Sequence, residues 1–451
     1  MGVVTSLLFF LVINFLGMKY ALGKRVYTLQ ASVGPEKTWQ FSHGEMFILL
    51  TVACAPLAAA PLGALAVRLL GWLILCGFGL FVLSKPFMIT RVTFCYILYL
   101  LWLFISLLLT PYPAYGIRVL MKYLLPFLLL LYVPRAVTNP HLFEKAIKYT
   151  FTIFCIVIGY LLLSSIGLGK ILNFIFGGVV WWPPAILDSY GVVLSVCIVC
   201  AKTFHQKKYY WLLFPALLVP LIGYVVRTGL IVFMVTAIAI VLFHYKWKAV
   251  PAVILLAAIS IASIVFVPKI RDKMFVQEIS SEYLLEHYQE MSFEDINSNG
   301  RYYMWNVLLS NFYKPSPVTG SGLGTTQRAM YEELSPLFGG LEVPHNDYVQ
   351  ILCDTGQIGL FLYALVLLSM IFHSFSLYNN YKNSKESRYA ALIGGTSICG
   401  MAAGMMTDNV VNYTMTTVAY PFVFYALAIG LKKLEETKQN ENTVQCHHSA
   451  V

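Results

Sequence analysis

The chain has 451 residues, 59% hydrophobic and 12% charged, with 31 Lys and Arg against 21 Asp and Glu. A soluble domain carries about 25% charge, so this composition excludes an ordinary soluble protein and defines a polytopic membrane protein. The positive excess falls in short connections and the tail, where it reads as membrane topology and calls for no nucleic-acid partner.

Apolar runs that would cross a bilayer as helices are predicted at 3–18, 44–60, 62–83, 88–110, 117–133, 146–165, 184–204, 209–226, 228–244, 249–267, 349–374, 388–406 and 410–431. Some are short, and the expected fold is all-α with about 12 transmembrane helices. Helices satisfy their own backbone polar groups in lipid, and the runs lack the alternation of barrel strands. The first run resembles a signal-peptide core. It lacks a small-x-small cleavage site ahead of Lys24-Arg25 and reads as an uncleaved helix. Trp181-Trp182, before Pro183-Pro184, is expected at a membrane interface, where Trp anchors helices. A wall for a lipid-linked substrate is the sharper alternative.

Arg227 stands between the apolar runs Leu217–Val226 and Leu230–Phe243. An arginine in such a setting costs about 2.5–3.5 kcal/mol on insertion scales. It is either a loop arginine at a helix end or an anion site open to the bundle interior. A guanidinium offers phosphate oxygens a rigid fork and stays charged.

Residues 268–346 form the one large insertion, with six basic residues against ten acidic, a net of −4. The other connections are basic: Lys246 and Lys248; Lys382, Lys385 and Arg388; Lys432-Lys433. Alternating sides back from the tail places the insertion outside. The chain thus divides into membrane helices (1–267), the outer loop (268–346), C-terminal membrane helices (347–431) and an inner tail (432–451).

Within the loop, 277–295 is predicted as an amphipathic helix. Its glutamates at 278, 282, 286, 290 and 294 make a solvated face or a docking rim. A turn at 297–300 leads into a short helix, Arg301 to Phe312, stopped by Lys314-Pro315-Ser316-Pro317. Gly320-Ser321-Gly322-Leu323-Gly324 lacks the Lys-Ser/Thr ending of a nucleotide loop and suggests a tight turn or close backbone approach.

His345, followed by Asn346 and Asp347, comes just before a membrane run. It is a capping or interfacial histidine, or a base. Near two cationic arginines its charged form is disfavoured, which keeps it available as a base at neutral pH. No zinc-ligand spacing surrounds it, and Cys446-His447-His448 reads as a frayed tail rather than a metal cluster. No metal or cofactor is implied. The nine cysteines lie mostly in spans and suggest no disulfide framework.

Arg227-Thr228-Gly229 between two apolar runs is followed in order by Gly300-Arg301 with Trp305, the Gly320–Gly324 loop, His345-Asn346-Asp347-Tyr348 and Gly356-Gln357-Ile358-Gly359-Leu360. Together they resemble the O-antigen ligase and O-antigen polymerase superfamily over roughly 210–375. The resemblance implies a metal-independent glycosyltransferase of the bacterial inner membrane, with a large periplasmic loop capping an outward-facing cavity. The donor it implies is a glycan on undecaprenyl diphosphate, and the acceptor a hydroxyl. By the same resemblance Arg227 and Arg301 hold the diphosphate and His345 activates the acceptor. Asn346, Gly322 and Gly324 line the substrate. Lipid A-core of lipopolysaccharide is the preferred acceptor; a polymerase extending a polyprenyl-linked glycan comes second. A transporter or lipid-linked glycan flippase is the competing class, and should show polar or broken helices in paired halves. A non-catalytic scaffold would not require Arg227 and His345 together.

Overall fold

The computed structural model describes residues 26–30, 38–54, 90–163, 168, 190–203, 227–266, 301–338, 340–414 and 417–448. The spans predicted at 3–18, 62–83 and 209–226, the amphipathic helix at 277–295 and Trp181-Trp182 lie outside these residues.

An antiparallel hairpin, β1 (Val26–Gln30) and β2 (Thr38–Ser42), pairs Val26 with Ser42 and Gln30 with Thr38. It leads into α1 (His43–Cys54). Ser42 and Glu45 cap that helix reciprocally: the Ser42 N–H donates to Glu45 Oε2 and the Glu45 N–H to Ser42 Oγ. The following helices are α2 (Arg91–Leu109), α3 (Pro113–Ala136), α4 (Leu142–Leu163) and α5 (Tyr190–Thr203). Next come α6 (Arg227–Tyr245) and α7 (Val250–Phe266). In the loop lie α8 (Arg301–Leu308), continued by a π turn at Leu309–Tyr313, and α9 (Thr325–Ala329). The chain closes with α10 (Asp347–Asn380), α11 (Lys385–Gly404) and α12 (Ala419–His448).

The protein is predominantly helical. Among the described residues, α2, α3, α6 and α10 are long and apolar enough to cross a membrane. The most enclosed is α3, with 72% of its apolar window buried inside the protein. It packs on α2 and α12, while α11 packs on α6, α10 and α12. Without a hydrophobic drive in lipid, such contacts depend on close approach by small residues. Gly394 of α11 supplies one, lying where a Cβ would come within 2.6 Å of the Tyr425 backbone nitrogen. Tyrosines fill the centre. Tyr99 and Tyr363 have ring centroids 5.0 Å apart, and the Tyr96 hydroxyl donates to the Tyr123 carbonyl at 2.8 Å.

Two expectations are revised. The span predicted at 410–431 begins as a helix only at Ala419, because Val410–Tyr413 make a 3₁₀ turn. A buried carboxylate holds that turn: Asp347 Oδ2 accepts the Val411 N–H at 3.0 Å. The C-terminal tail is no separate frayed segment as far as His448, since α12 runs on to it.

From the end holding His345, α6 and α10 run away to basic ends, with Lys246 and Lys248 after α6 and Lys382 after α10, and α12 carries Lys432-Lys433 partway along its length.

Candidate active site

The motif before and within α10 assigns each residue a distinct task. Asn346 caps the helix, its side chain accepting the Val349 N–H at 3.1 Å. The Asp347 N–H donates to the Met405 carbonyl at 2.9 Å, and the Tyr348 hydroxyl to the Ala402 carbonyl at 2.7 Å. The start of α10 is thus fastened to the α11–α12 connection. His345 itself sits at φ +52°, a left-handed conformation uncommon for residues other than Gly, Asn and Asp.

Its imidazole meets a partner from the same connection. His345 Nδ1 lies 2.8 Å from Asp408 Oδ1, with the side chains 19% and 12% exposed. An ionised carboxylate only accepts, so Nδ1 carries the hydrogen, and in the neutral ring the lone pair lies on Nε2. Burial pushes the Asp408 carboxyl up. The His345 hydrogen bond and charge, the Asn409 N–H and Arg301 outweigh burial and hold it below the usual carboxylate range.

Arg301 reaches the preceding residue: its Nη1 donates to the Thr407 carbonyl at 2.9 Å. Burial pulls this guanidinium below its ordinary value, with Asp408 opposing; an arginine so shifted is still a cation at working pH. One turn later on the same helix face, Trp305 Nε1 donates to the Pro344 carbonyl at 2.7 Å. The Arg-x-x-x-Trp spacing therefore places Arg301 against Thr407 and fixes the residue before His345.

Arg227 arrives beside the same turn. Its neighbour Thr228 places Oγ1 3.1 Å from Thr407 Oγ1, and Arg301 is close enough for the two cations to repel. Thr407 and Asp408 thus take contacts from Arg301, from His345 and from Thr228, the residue after Arg227.

Gly322 and Gly324 occupy a different place. Their contacts are with Thr110, Gly116 and Asp354 rather than with the two arginines or His345. The loop closes a break in α10, where Gly356 adopts φ 68°, ψ −168°. The Ser321 N–H donates to the Cys353 carbonyl at 2.9 Å, and the Gly322 N–H to the Asp354 carbonyl at 3.0 Å. The Asp354 carboxylate returns the favour, accepting the Gly324 and Thr326 N–H groups at 2.9 and 2.8 Å. From α2, the Ser106 hydroxyl and the Trp102 indole satisfy the Asp354 and Thr355 carbonyls. Non-helical backbone at membrane depth persists where protein satisfies it, which is the situation here.

Sequence reasoning missed Thr407 and Asp408. One signal was present: Asp408 is the only charged residue between Arg388 and Lys432, and an ionisable group in such a run marks function by default. Its pairing with His345 was not readable from spacing.

The fold and site define a helical membrane protein that presents two cationic side chains beside an oriented imidazole. Residues 211–364 match the family model described as O-Antigen ligase, a stretch containing Arg227, Arg301 and His345 and ending before Asp408. The matched stretch, about a third of the chain, is the one whose motifs resemble the O-antigen ligase and polymerase superfamily. It supports a ligase- or polymerase-like transferase acting on lipid-linked glycan in a membrane. No curated protein matches the chain.

Proposed function

We propose that this protein transfers a glycan from undecaprenyl diphosphate to a hydroxyl acceptor at the outer face of a bacterial inner membrane. The lipid A-core oligosaccharide of lipopolysaccharide is the preferred acceptor. The observation that carries this reading is the His345–Asp408 hydrogen bond formed next to Thr407, where Arg301 is anchored.

In this mechanism the acceptor hydroxyl gives its proton to His345 Nε2 while its oxygen attacks the anomeric carbon. The bond from that carbon to the diphosphate oxygen breaks, inverting the centre. The leaving undecaprenyl diphosphate gains negative charge, which preorganised Arg227 and Arg301 stabilise. Asp408 holds the imidazole in the tautomer that can accept and stabilises the imidazolium it becomes. The polyprenyl tail stays in lipid throughout. The contrast between the acidic 268–346 insertion and the basic connections supports an outward site.

The deciding experiment reconstitutes purified protein with an undecaprenyl-diphosphate glycan and two acceptors, lipid A-core and a second polyprenyl-linked glycan. Product on lipid A-core supports the ligase; elongation of the lipid-linked glycan alone makes it a polymerase. Movement of intact donor across the bilayer without glycosidic cleavage would assign a flippase instead. EDTA is expected to leave turnover unchanged. Impermeant thiol reagents should label a cysteine at Lys314 from outside and miss one at Asn383.

A further inference from the structure

Lys122 stands in the third turn of α3, within a helix long and apolar enough to cross a membrane. A charge in such a helix is costly and marks function by default, yet the transfer mechanism makes no use of this one. Its ammonium donates to the Asn412 side-chain oxygen, and its backbone carbonyl accepts the Thr414 hydroxyl at 3.3 Å. One residue of α3 thus grips the 3₁₀ turn Val410–Tyr413 near its end, while Asp347 of α10 holds the Val411 N–H of the same turn. From Asn412 an unbroken hydrogen-bonded path runs to the candidate base. The Asn412 N–H donates to the Asn409 carbonyl at 3.1 Å, and the Asn409 N–H to Asp408 Oδ1 at 2.8 Å. That oxygen is the one facing His345 Nδ1 at 2.8 Å.

We propose that Lys122 is a positioning residue for the transfer, holding the Val410–Tyr413 turn so that Asp408 stays within hydrogen-bond reach of His345. The inference rests on His345 acting as the base. His345 and Asp408 lie on separate segments, and the bond between them weakens as either one drifts. The His345 side is fixed through Pro344, which accepts from Trp305, and through Asp347, whose N–H donates to Met405. Lys122 and Asn412 fix the Asp408 side. A lysine suits the task, because its long stem reaches from α3 to the turn and its ammonium offers three donors. Its charge also acts on the buried Asp347 and Asp354 carboxylates of α10. The arginines answer to other charges, Arg301 to Asp408 and Arg227 to Arg301. Lys122 therefore belongs to the scaffold behind the site and not to the cations assigned to the diphosphate.

The test measures steady-state transfer by the full-length protein, reconstituted with an undecaprenyl-diphosphate glycan and whichever of the two acceptors gives product. Lys122→Met removes the charge at similar length. Asn412→Ala removes the acceptor and leaves the lysine in place, which keeps the question open to test should the first variant not fold. Each is expected to lower kcat about tenfold, the scale of one charge-assisted contact, with donor KM unchanged. Asn412→Asp keeps an oxygen for the ammonium and should recover most of what Ala loses. The deciding comparison is a double-mutant cycle. In Asp408→Ala, where no carboxylate remains to be positioned, neither substitution should lower kcat further. Full kcat in both Lys122→Met and Asn412→Ala, with Asp408→Ala impaired, overturns the proposal and leaves the general-base reading intact. Losses that multiply in the Asp408→Ala background, or a raised donor KM at normal kcat, overturn it as well. Wild-type turnover in Asp408→Ala removes the general-base reading itself, and this proposal with it.

Discussion

Trp305 donates its indole N–H to the Pro344 carbonyl at 2.7 Å, so the helix that carries Arg301 also holds the residue before His345. Trp305→Phe keeps a ring in the small cluster around Met304, Leu308 and Met330 and removes only the donor. Stability should fall by about 0.5–1.5 kcal/mol, the worth of one such bond. Turnover should fall further, on the order of 10²-fold, since small displacements of reacting groups cost that much. Donor KM should hold steady. Wild-type turnover would show that Pro344 does not transmit position to His345.

Asp408→Asn retains an oxygen acceptor and loses the charge. His345 then lacks the partner that stabilises its imidazolium, and turnover should drop within the range of general-base help, about 10²–10⁴-fold. His345→Gln should lose a similar factor while donor binding persists. Near-normal turnover with Gln would make the histidine a mere acceptor-positioning group.

The depressed Asp408 pKa also has a pH signature. A carboxyl whose folded-state value lies below its unfolded value, about 3.9, contributes its full stability above that unfolded value. The contribution is lost as pH falls through the folded value. Melting temperature in detergent should therefore decline more steeply below about pH 4 in wild type than in Asp408→Asn. Parallel declines would remove the linkage.

Gly356→Ala tests the clamp on α10. A Cβ there would lie 2.2 Å from the Val318 carbonyl oxygen, at φ +68°. The backbone strain alone costs about 1–3 kcal/mol, and the clash adds to it. Lower yield and a lower melting temperature are expected. Unchanged stability would mean that the loop can withdraw from the break.

Lys substitution separates the two arginines. Lysine keeps charge but loses the fork, and a lost hydrogen bond to a charged group costs about 1.5–3 kcal/mol, roughly 10- to 150-fold in rate. Arg227→Lys should lose about that factor. Arg301→Lys should lose more, because Arg301 also donates to the Thr407 carbonyl. Full activity in Arg227→Ala at matched protein level would refute a diphosphate contact there.

Most of the described helices were legible from apolar run length, because bilayer thickness dictates it: the run at 228–244 is α6 at Arg227–Tyr245, and that at 249–267 is α7 at Val250–Phe266. Arg301 does open a short helix in the loop. What escaped was set by contacts between distant residues. The break at Gly356 depends on a loop more than 30 positions earlier, and the start of α12 on the Asp347 carboxylate. The β1–β2 hairpin was missed because its five-residue strands lie beside long apolar runs that dominate the pattern. Asp408 stood out as a lone charge, but only folding shows which histidine it serves.

Chain order gives the Thr407–Asp408 turn one more consequence. A polypeptide is made from its N-terminus, and its parts form as they emerge. Arg227, Arg301 and His345 are all synthesised before the turn that joins them. A product ending after α10 would contain every residue recognisable from the motifs and still leave His345 without the carboxylate that sets its tautomer. Competence for transfer thus arrives late, with the final hairpin of helices, so an unfinished chain carries the motifs without the means to act on lipid-linked glycan.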